Sequence, residues 1–283
     1  MAAVLLSLLA SVLWGGADFT GGLLTKRHSV LAVVAGVEGI GLIGVLAALA
    51  ISGDSVPPTA DLLNAGAAGL CGVAGLALFY RALSIGTMSV VAPIASCGAA
   101  IPAIYGLAKG DPLSVVLGAG LLVAMVGVIL ASLEAEHEGA AQVRAGTGSR
   151  ASLVLAGLSA FGFGGYFIFF DRAAGGSVLW ALTTARSVPL LVVLIAVAVR
   201  RVPLVRGRDA RALVVAGFAD AGATGLYGIA LTKGALSVVS VVGSLYPVTT
   251  VVLARLILGE RVRPVQLAGI VLALGGVALI AAG

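Results

Sequence analysis

The chain has 283 residues, of which 60% are hydrophobic and only 10% are charged, and its formal net charge is +5. Soluble domains carry about 25% charged residues, so the 17 basic and 12 acidic side chains cannot cover a soluble fold of this length. The composition excludes a soluble enzyme, a nucleic-acid-binding protein and a disordered chain, and it predicts an integral membrane protein.

Ten apolar runs follow one another along the chain, separated by polar or turn-forming segments. A hydrocarbon core about 30 Å thick needs about 20 helical residues per crossing, and a helix satisfies its own backbone hydrogen bonds in lipid. We therefore predict an all-α membrane protein with ten transmembrane helices. The spans cover residues 2–24, 30–51, 62–80, 88–108, 113–132, 151–170, 178–199, 212–231, 238–258 and 265–282.

One connection between these spans is longer and more polar than the others. Residues 133–150 are charged and rich in Gly and Ala, a composition typical of a solvated linker. The sequence thus predicts a first five-helix repeat over 1–132, a polar linker over 133–150 and a second five-helix repeat over 151–283.

The two halves resemble each other at a nearly constant offset. A shift of 148 residues aligns 82–91 with 230–239, where six of ten residues coincide, and it places Ser96 on Ser244. Because each half has an odd number of crossings, the second half must enter the membrane from the opposite face. The sequence predicts an inverted repeat, which in many secondary transporters encloses a substrate site near the membrane midplane.

Several of these segments resemble the EamA-type ten-helix permeases of the drug/metabolite transporter superfamily. They are Ala82–Pro93, Ala230–Val239, the Tyr246-Pro247 pair, Leu258–Arg261 and the closing helix Gly269–Ile280. The first half departs from the family pattern, because Gly110 and Asp111 stand where a Gly-Glu pair is expected. The resemblance implies transport of small metabolites, amino acids or drugs, often outward and with proton coupling in many members, and it brings no catalytic residues.

Ionisable side chains within the predicted spans are candidate site residues, because a charge at membrane depth costs at least about 2.5–3.5 kcal/mol and needs a partner, water or a function. In the first span, Trp14 and Asp18 share a helical face with Ser7 and Ser11. This face indicates a cavity wall, with Asp18 as a substrate contact or proton carrier. The alternative places Asp18 at a hydrated helix end.

Glu38 and Arg186 lie near the centres of the second and seventh spans and are separated by the repeat offset. Three interpretations stay open. They form an ion pair across the cavity that opens or exchanges when substrate binds, or Arg186 binds the carboxylate of an anionic substrate while Glu38 carries a proton, or each is paired for purely structural reasons with backbone or with other helices.

Polar groups in the eighth and ninth spans complete the set of candidates. Asp220, Thr224 and Tyr227 share one face of the eighth span, so Asp220 either borders the cavity or makes a structural hydrogen bond. Tyr246 and Ser244 lie beside Pro247, which removes a backbone hydrogen bond and can kink the ninth span. We expect both side chains to line the cavity.

The predicted function is a secondary transporter that moves a small polar metabolite, such as an amino acid, by alternating access. Export is favoured by family analogy. A multidrug carrier and a sugar or nucleotide-sugar carrier of the same superfamily are alternatives. A channel and an intramembrane enzyme are less favoured, because the sequence has no ring of like residues, nucleophile elbow or zinc-binding His pair.

Partners and location follow from the same interpretation. We expect a small-molecule substrate, protons as a candidate coupling ion, and the lipid bilayer of a bacterial-type inner membrane. No metal, cofactor or nucleic acid is expected, and the protein is a monomer or a homodimer.

The basic residues of the predicted loops are divided unevenly between the two sides of the membrane, and cytoplasmic loops carry an excess of Lys and Arg. One side holds Lys26, Arg27, Arg81, Arg144, Arg150, Arg200, Arg201, Arg206, Arg208, Arg211, Arg261 and Arg263. The other side holds Lys109, Arg172 and Lys233. This distribution predicts a cytoplasmic linker and two external termini.

A reporter fused to the C-terminus tests this orientation. An alkaline phosphatase fusion, which is active only outside the cytoplasm, should be active, and a fusion placed in the linker should be inactive. The opposite pattern would contradict the predicted orientation.

Overall fold

The structure is a computed structural model that describes residues 1–86, 88–131, 147–258 and 264–282. Every regular element in these ranges is helical. The α-helices are α1 (Ala2–Thr25), α2 (Val30–Ser52), α3 (Thr59–Ile85), α4 (Met88–Ser96), α5 (Ala100–Ala108), α6 (Val115–Ala131), α7 (Thr147–Ala174), α8 (Val178–Val199), α9 (Arg208–Leu231), α10 (Leu236–Gly243), α11 (Tyr246–Leu258) and α12 (Pro264–Ala282). A 3₁₀ turn, Cys97–Ala99, connects α4 and α5.

Most of the predicted spans are single helices, several of which continue beyond the apolar run. Helix α3 is longer than the predicted 62–80 at both ends. Helix α7 begins at Thr147, so residues 147–150, assigned to the linker from sequence, are helical instead, while 133–146 lie outside the described residues. Hydropathy detects the part of a helix that lies in lipid, whereas helical hydrogen bonding continues into water.

The fourth and ninth spans, predicted as continuous helices, are each broken in the middle. The fourth is interrupted by the 3₁₀ turn at Cys97–Ala99, and the ninth breaks between α10 and α11. The breaks are at equivalent places, since Leu245 follows Cys97 by the repeat offset of 148 residues. Pro102 and Pro247 explain their positions, because a proline clashes with the carbonyl four residues earlier, here that of Gly98 or Gly243.

The outer surface of the bundle is apolar. Large side chains such as Ile43, Leu122, Phe161 and Leu256 are exposed there, an arrangement that suits contact with lipid rather than water. Within the described ranges, seven helical segments are long and apolar enough to cross a membrane, and three further apolar helices are shorter. Ten crossings in an inverted arrangement stay a prediction.

The helices of the two predicted halves are interleaved. Helix α1 packs along α9, and α3 packs along α7; α2 contacts α8 and α9, while α8 also contacts α3. Small residues permit close packing in membranes, and the α3–α7 pair depends on them. A Cβ atom added to Gly162 would lie 2.7 Å from the Cα of Gly75, so the two backbones touch without intervening side chains.

Gly162→Ala should therefore lower the free energy of unfolding of the purified protein by about 1–3 kcal/mol, the usual cost of overpacking. Gly157→Ala, on the same helix, is the matched control, because a Cβ atom there meets nothing within 4 Å. Thermal unfolding in detergent measures the difference, and equal stability of the two variants would contradict the close contact.

Candidate functional site

A cavity of about 100 Å³ lies between the two predicted halves. Since one water needs roughly 10–15 Å³ of such space, the cavity has room for several waters or for part of a small solute. Its wall is formed by helices α1, α2, α3, α7, α8 and α9 and by the two broken segments, α4 to α5 and α10 to α11. The polar and aromatic lining residues are Trp14, Asp18, Glu38, Ser96, Phe163, Tyr166, Phe167, Arg186, Asp220, Thr224, Ser244 and Tyr246.

Arg186 on α8 is the centre of a buried network. Its Nη1 donates to Oε2 of Glu38 on α2 at 3.2 Å, and its Nη2 donates to Oδ2 of Asp220 on α9 at 2.6 Å. Nη2 also contacts the Thr224 hydroxyl at 3.3 Å, and that hydroxyl donates to the Asp220 carbonyl. The ion pair between Glu38 and Arg186, one of the three interpretations open from sequence, is present.

Glycine makes room for the guanidinium. A Cβ atom at Gly41 would lie 2.6 Å from Nη1 of Arg186, so a larger residue there would displace the ion pair. The Arg186 side chain is only 6% exposed. Its Nε is buried and has no hydrogen-bond partner among the described residues. The network thus binds both terminal nitrogens of the guanidinium and leaves the Nε–H without a partner among the described residues.

Asp18 borders the same cavity but stands outside the network. No described residue donates a hydrogen bond to it or forms an ion pair with it. Ser7 and Ser11, expected on the same face, instead donate to the carbonyls of Ala3 and Leu8 in their own helix. The polar face predicted for α1 therefore reaches the cavity only at Trp14 and Asp18.

Aromatic side chains form one side of the cavity. Trp14 contacts Phe167 on α7, with ring centroids 5.9 Å apart. Tyr246, at the start of α11, lines the cavity, and its buried hydroxyl has no hydrogen-bond partner among the described residues. Tyr227, a predicted site residue, is not among the lining residues. Its buried ring packs behind Trp14, and the two ring centroids are 5.3 Å apart.

The aromatic wall of α7 was missed from sequence. Phe163, Tyr166 and Phe167 line the cavity, whereas the residues predicted from sequence belong to α1, α2, α8, α9 and the broken segment α10–α11. A signal is present in the sequence, since six of the ten residues in 161–170 are aromatic in a chain with 5% aromatic residues. Aromatic clustering within a span thus indicates a cavity wall as charge does.

The arrangement can bind and orient a solute. Three carboxylates and one guanidinium line the cavity, so its formal charge is negative when all four groups are ionised. Within the described ranges, no group of three or more His, Cys, Asp or Glu residues could hold a metal ion. The lining side chains can form ion pairs, hydrogen bonds and aromatic contacts with a solute.

Comparison with known proteins gives one family match. The model of the EamA-like transporter family matches residues 1–133 and 150–282. A solved structure described only as "Crystal structure of protein" has a TM-score of 0.77 and 18% identity, covering 98% of this chain and 96% of its own. At this identity the likeness shows the fold alone. A comparison with curated proteins finds no match.

Arg186→Gln should lower the stability of the folded protein by about 3–5 kcal/mol, because it leaves Glu38 and Asp220 buried without their shared partner. Asp18→Asn is the matched comparison, since it removes a carboxylate of the same cavity that makes no ion pair, and it should change stability little. Thermal unfolding of both variants in detergent measures this difference, and an unchanged Arg186→Gln protein would contradict the structural role of the network.

Proposed function

The chain belongs to the EamA-like transporter family and is an integral, multi-pass membrane protein; on this basis we propose that it is a secondary transporter of a small polar metabolite, such as an amino acid. The observation that carries this proposal is the cavity with its buried charges. It lies between helices of both predicted halves, as substrate sites of secondary transporters do. The direction we propose is export from a bacterial-type cell across the inner membrane.

Alternating access is supported by the symmetry of the packing. In the predicted repeat, α1, α2 and α3 are equivalent to α7, α8 and α9. Replacing each helix by its equivalent turns the α1–α9 contact into the α7–α3 contact, and the α2–α9 contact into the α8–α3 contact, and all four contacts are present. The broken segments α4–α5 and α10–α11 occupy equivalent places, and both contribute residues to the cavity. Discontinuous helices beside a binding site are typical of transporters with inverted repeats. We propose that two inverted five-helix repeats rock around this cavity.

The network around Arg186 connects the two predicted halves of the chain. Glu38 belongs to the first predicted half, whereas Arg186 and Asp220 belong to the second. The ion pair between Glu38 and Arg186 therefore joins the halves directly beside the cavity. We propose that it breaks or exchanges partners when the halves move, with Trp14, Asp18 and Tyr246 as substrate contacts and Tyr227 as a support for the Trp14 ring.

The energy source we propose is the proton gradient or the gradient of the substrate itself. Asp18 forms no ion pair with the described residues, so we propose that it exchanges a proton with the cavity without breaking one. Transport driven by an imposed pH gradient would support proton coupling.

Metabolite levels in cells that overexpress the protein or lack it should identify a substrate, which is then tested in proteoliposomes. We expect saturable counterflow for the wild-type protein. Asp18→Asn, Glu38→Gln and Arg186→Gln should each reduce transport by roughly tenfold or more, as loss of an interaction of about 1.4 kcal/mol requires, while the protein still inserts into the membrane.

Asp61→Asn is the matched control, because Asp61 lies in the first turn of α3 and is not among the cavity-lining residues. Its counterflow should equal that of the wild-type protein. Ohmic current without saturation would instead identify a channel, and wild-type transport by all three cavity variants would remove the site assignment.

A further inference from the structure

We propose that the substrate carries a cationic amine, which binds at the Asp18 carboxylate and against the aromatic wall formed by Trp14, Tyr166, Phe167 and Tyr246. This inference rests on the proposed transport function and names the substrate class of the same cavity. It does not require the substrate to carry a carboxylate.

The charge of the cavity is the first argument. The charged lining residues are Asp18, Glu38, Arg186 and Asp220, and the guanidinium is engaged by two of the three acids at once. Both terminal nitrogens of Arg186 already donate to a carboxylate. Only the buried Nε of Arg186 has no partner among the described residues, so an anionic group entering here would compete with the buried ion pairs and approach the acids. A cation meets the opposite situation, because Asp18 forms no ion pair or hydrogen bond with the described residues.

Two polar groups without partners indicate where a ligand binds. The hydroxyl of Tyr246 is buried, on a residue that is 7% exposed and lines the cavity, and it has no hydrogen-bond partner among the described residues. Asp18 likewise accepts no hydrogen bond from the part of the chain that the structure describes. A buried polar group without a partner is costly. A solute with an ammonium group and a second polar group would satisfy both residues. Its ammonium would donate to the Asp18 carboxylate, and its second polar group would accept from the Tyr246 hydroxyl.

The aromatic wall favours an organic cation. Trp14 lies one helical turn from Asp18 on the same face of α1, and Phe167 contacts the Trp14 ring. In the described ranges, the cation–π contacts of this protein involve Tyr105, away from the cavity. The faces of the cavity aromatics are thus free of protein cations. Ammonium groups bind such faces, and they do so more strongly when they are desolvated.

A metal ion fits the site less well than an amine. Hard cations need six or more oxygen ligands. Both oxygens of Asp18 are without partners among the described residues, whereas one oxygen of Glu38 and one of Asp220 are engaged by Arg186, so the cavity offers fewer oxygen ligands than such an ion needs. An ammonium with an apolar substituent uses one carboxylate and the aromatic surface together, which is what this side of the cavity offers.

Three probes of the same shape and different charge test the proposal on the purified full-length protein: benzylamine, benzyl alcohol and benzoate. Binding is measured by the fluorescence of Trp14 in a protein that carries Trp180→Phe, so that Trp14 is its one tryptophan. The shift of the unfolding temperature is the second measurement. Benzylamine should bind at least about tenfold more tightly than the other two, as expected for an ion pair combined with a cation–π contact. Asp18→Asn should abolish that preference, and the Asp61→Asn control should retain it.

Equal binding of the three probes by the wild-type protein would overturn the proposal whatever the variants do. A benzylamine preference that survives in Asp18→Asn would also overturn it. The same holds if sodium chloride stabilises the wild-type protein but not Asp18→Asn, whereas choline chloride and benzylamine stabilise neither. None of these results touches the transport function, because saturable counterflow of any metabolite would still identify a carrier.

Discussion

A guanidinium held between carboxylates, inside a bundle whose outer surface is apolar, is the interaction on which the rest of this structure depends. Removal of a charge from water is expensive unless the charge is paired and hydrogen-bonded. Arg186 meets this condition by binding Glu38 and Asp220 from two other helices. The pairs fix α2, α8 and α9 relative to one another, and the absent side chain of Gly41 leaves the space that the guanidinium fills.

Beside the Arg186 network lies a cavity whose lining includes polar groups that no described residue satisfies. Asp18 and Tyr246 line the cavity, and the buried hydroxyl of Tyr246 has no hydrogen-bond partner among the described residues. Two helices end beside this space, at the 3₁₀ turn near Ser96 and at the break after Gly243. Irregular backbone at membrane depth is tolerated where it lines a polar cavity. Charge, broken helices and a space for solute thus occur together, and this combination links the fold to transport.

Much of the fold could be predicted because the membrane imposes a simple rule on the sequence. Runs of apolar residues located the helices, and the constant offset between halves placed Glu38 and Arg186 at matched positions. The same rule does not detect backbone breaks, since α4–α5 and α10–α11 are predominantly apolar on both sides of each break. It also missed Phe163, Tyr166 and Phe167, which look like ordinary lipid-facing residues until α7 is packed against α3.

The sequence by itself determined that this chain is helical and membrane-embedded, that it resembles the EamA permeases, and that a few ionisable residues lie at depth, because composition and spacing are local properties of the chain. Only the tertiary structure decided which acids share Arg186, that Asp18 forms no ion pair within the described part of the chain, and that Tyr227 packs behind Trp14 and is not a lining residue of the cavity. Periodicity gives the face of a helix on which a residue lies, but its partner depends on how the helices are rotated and packed, and that is fixed by contacts between residues far apart in the chain.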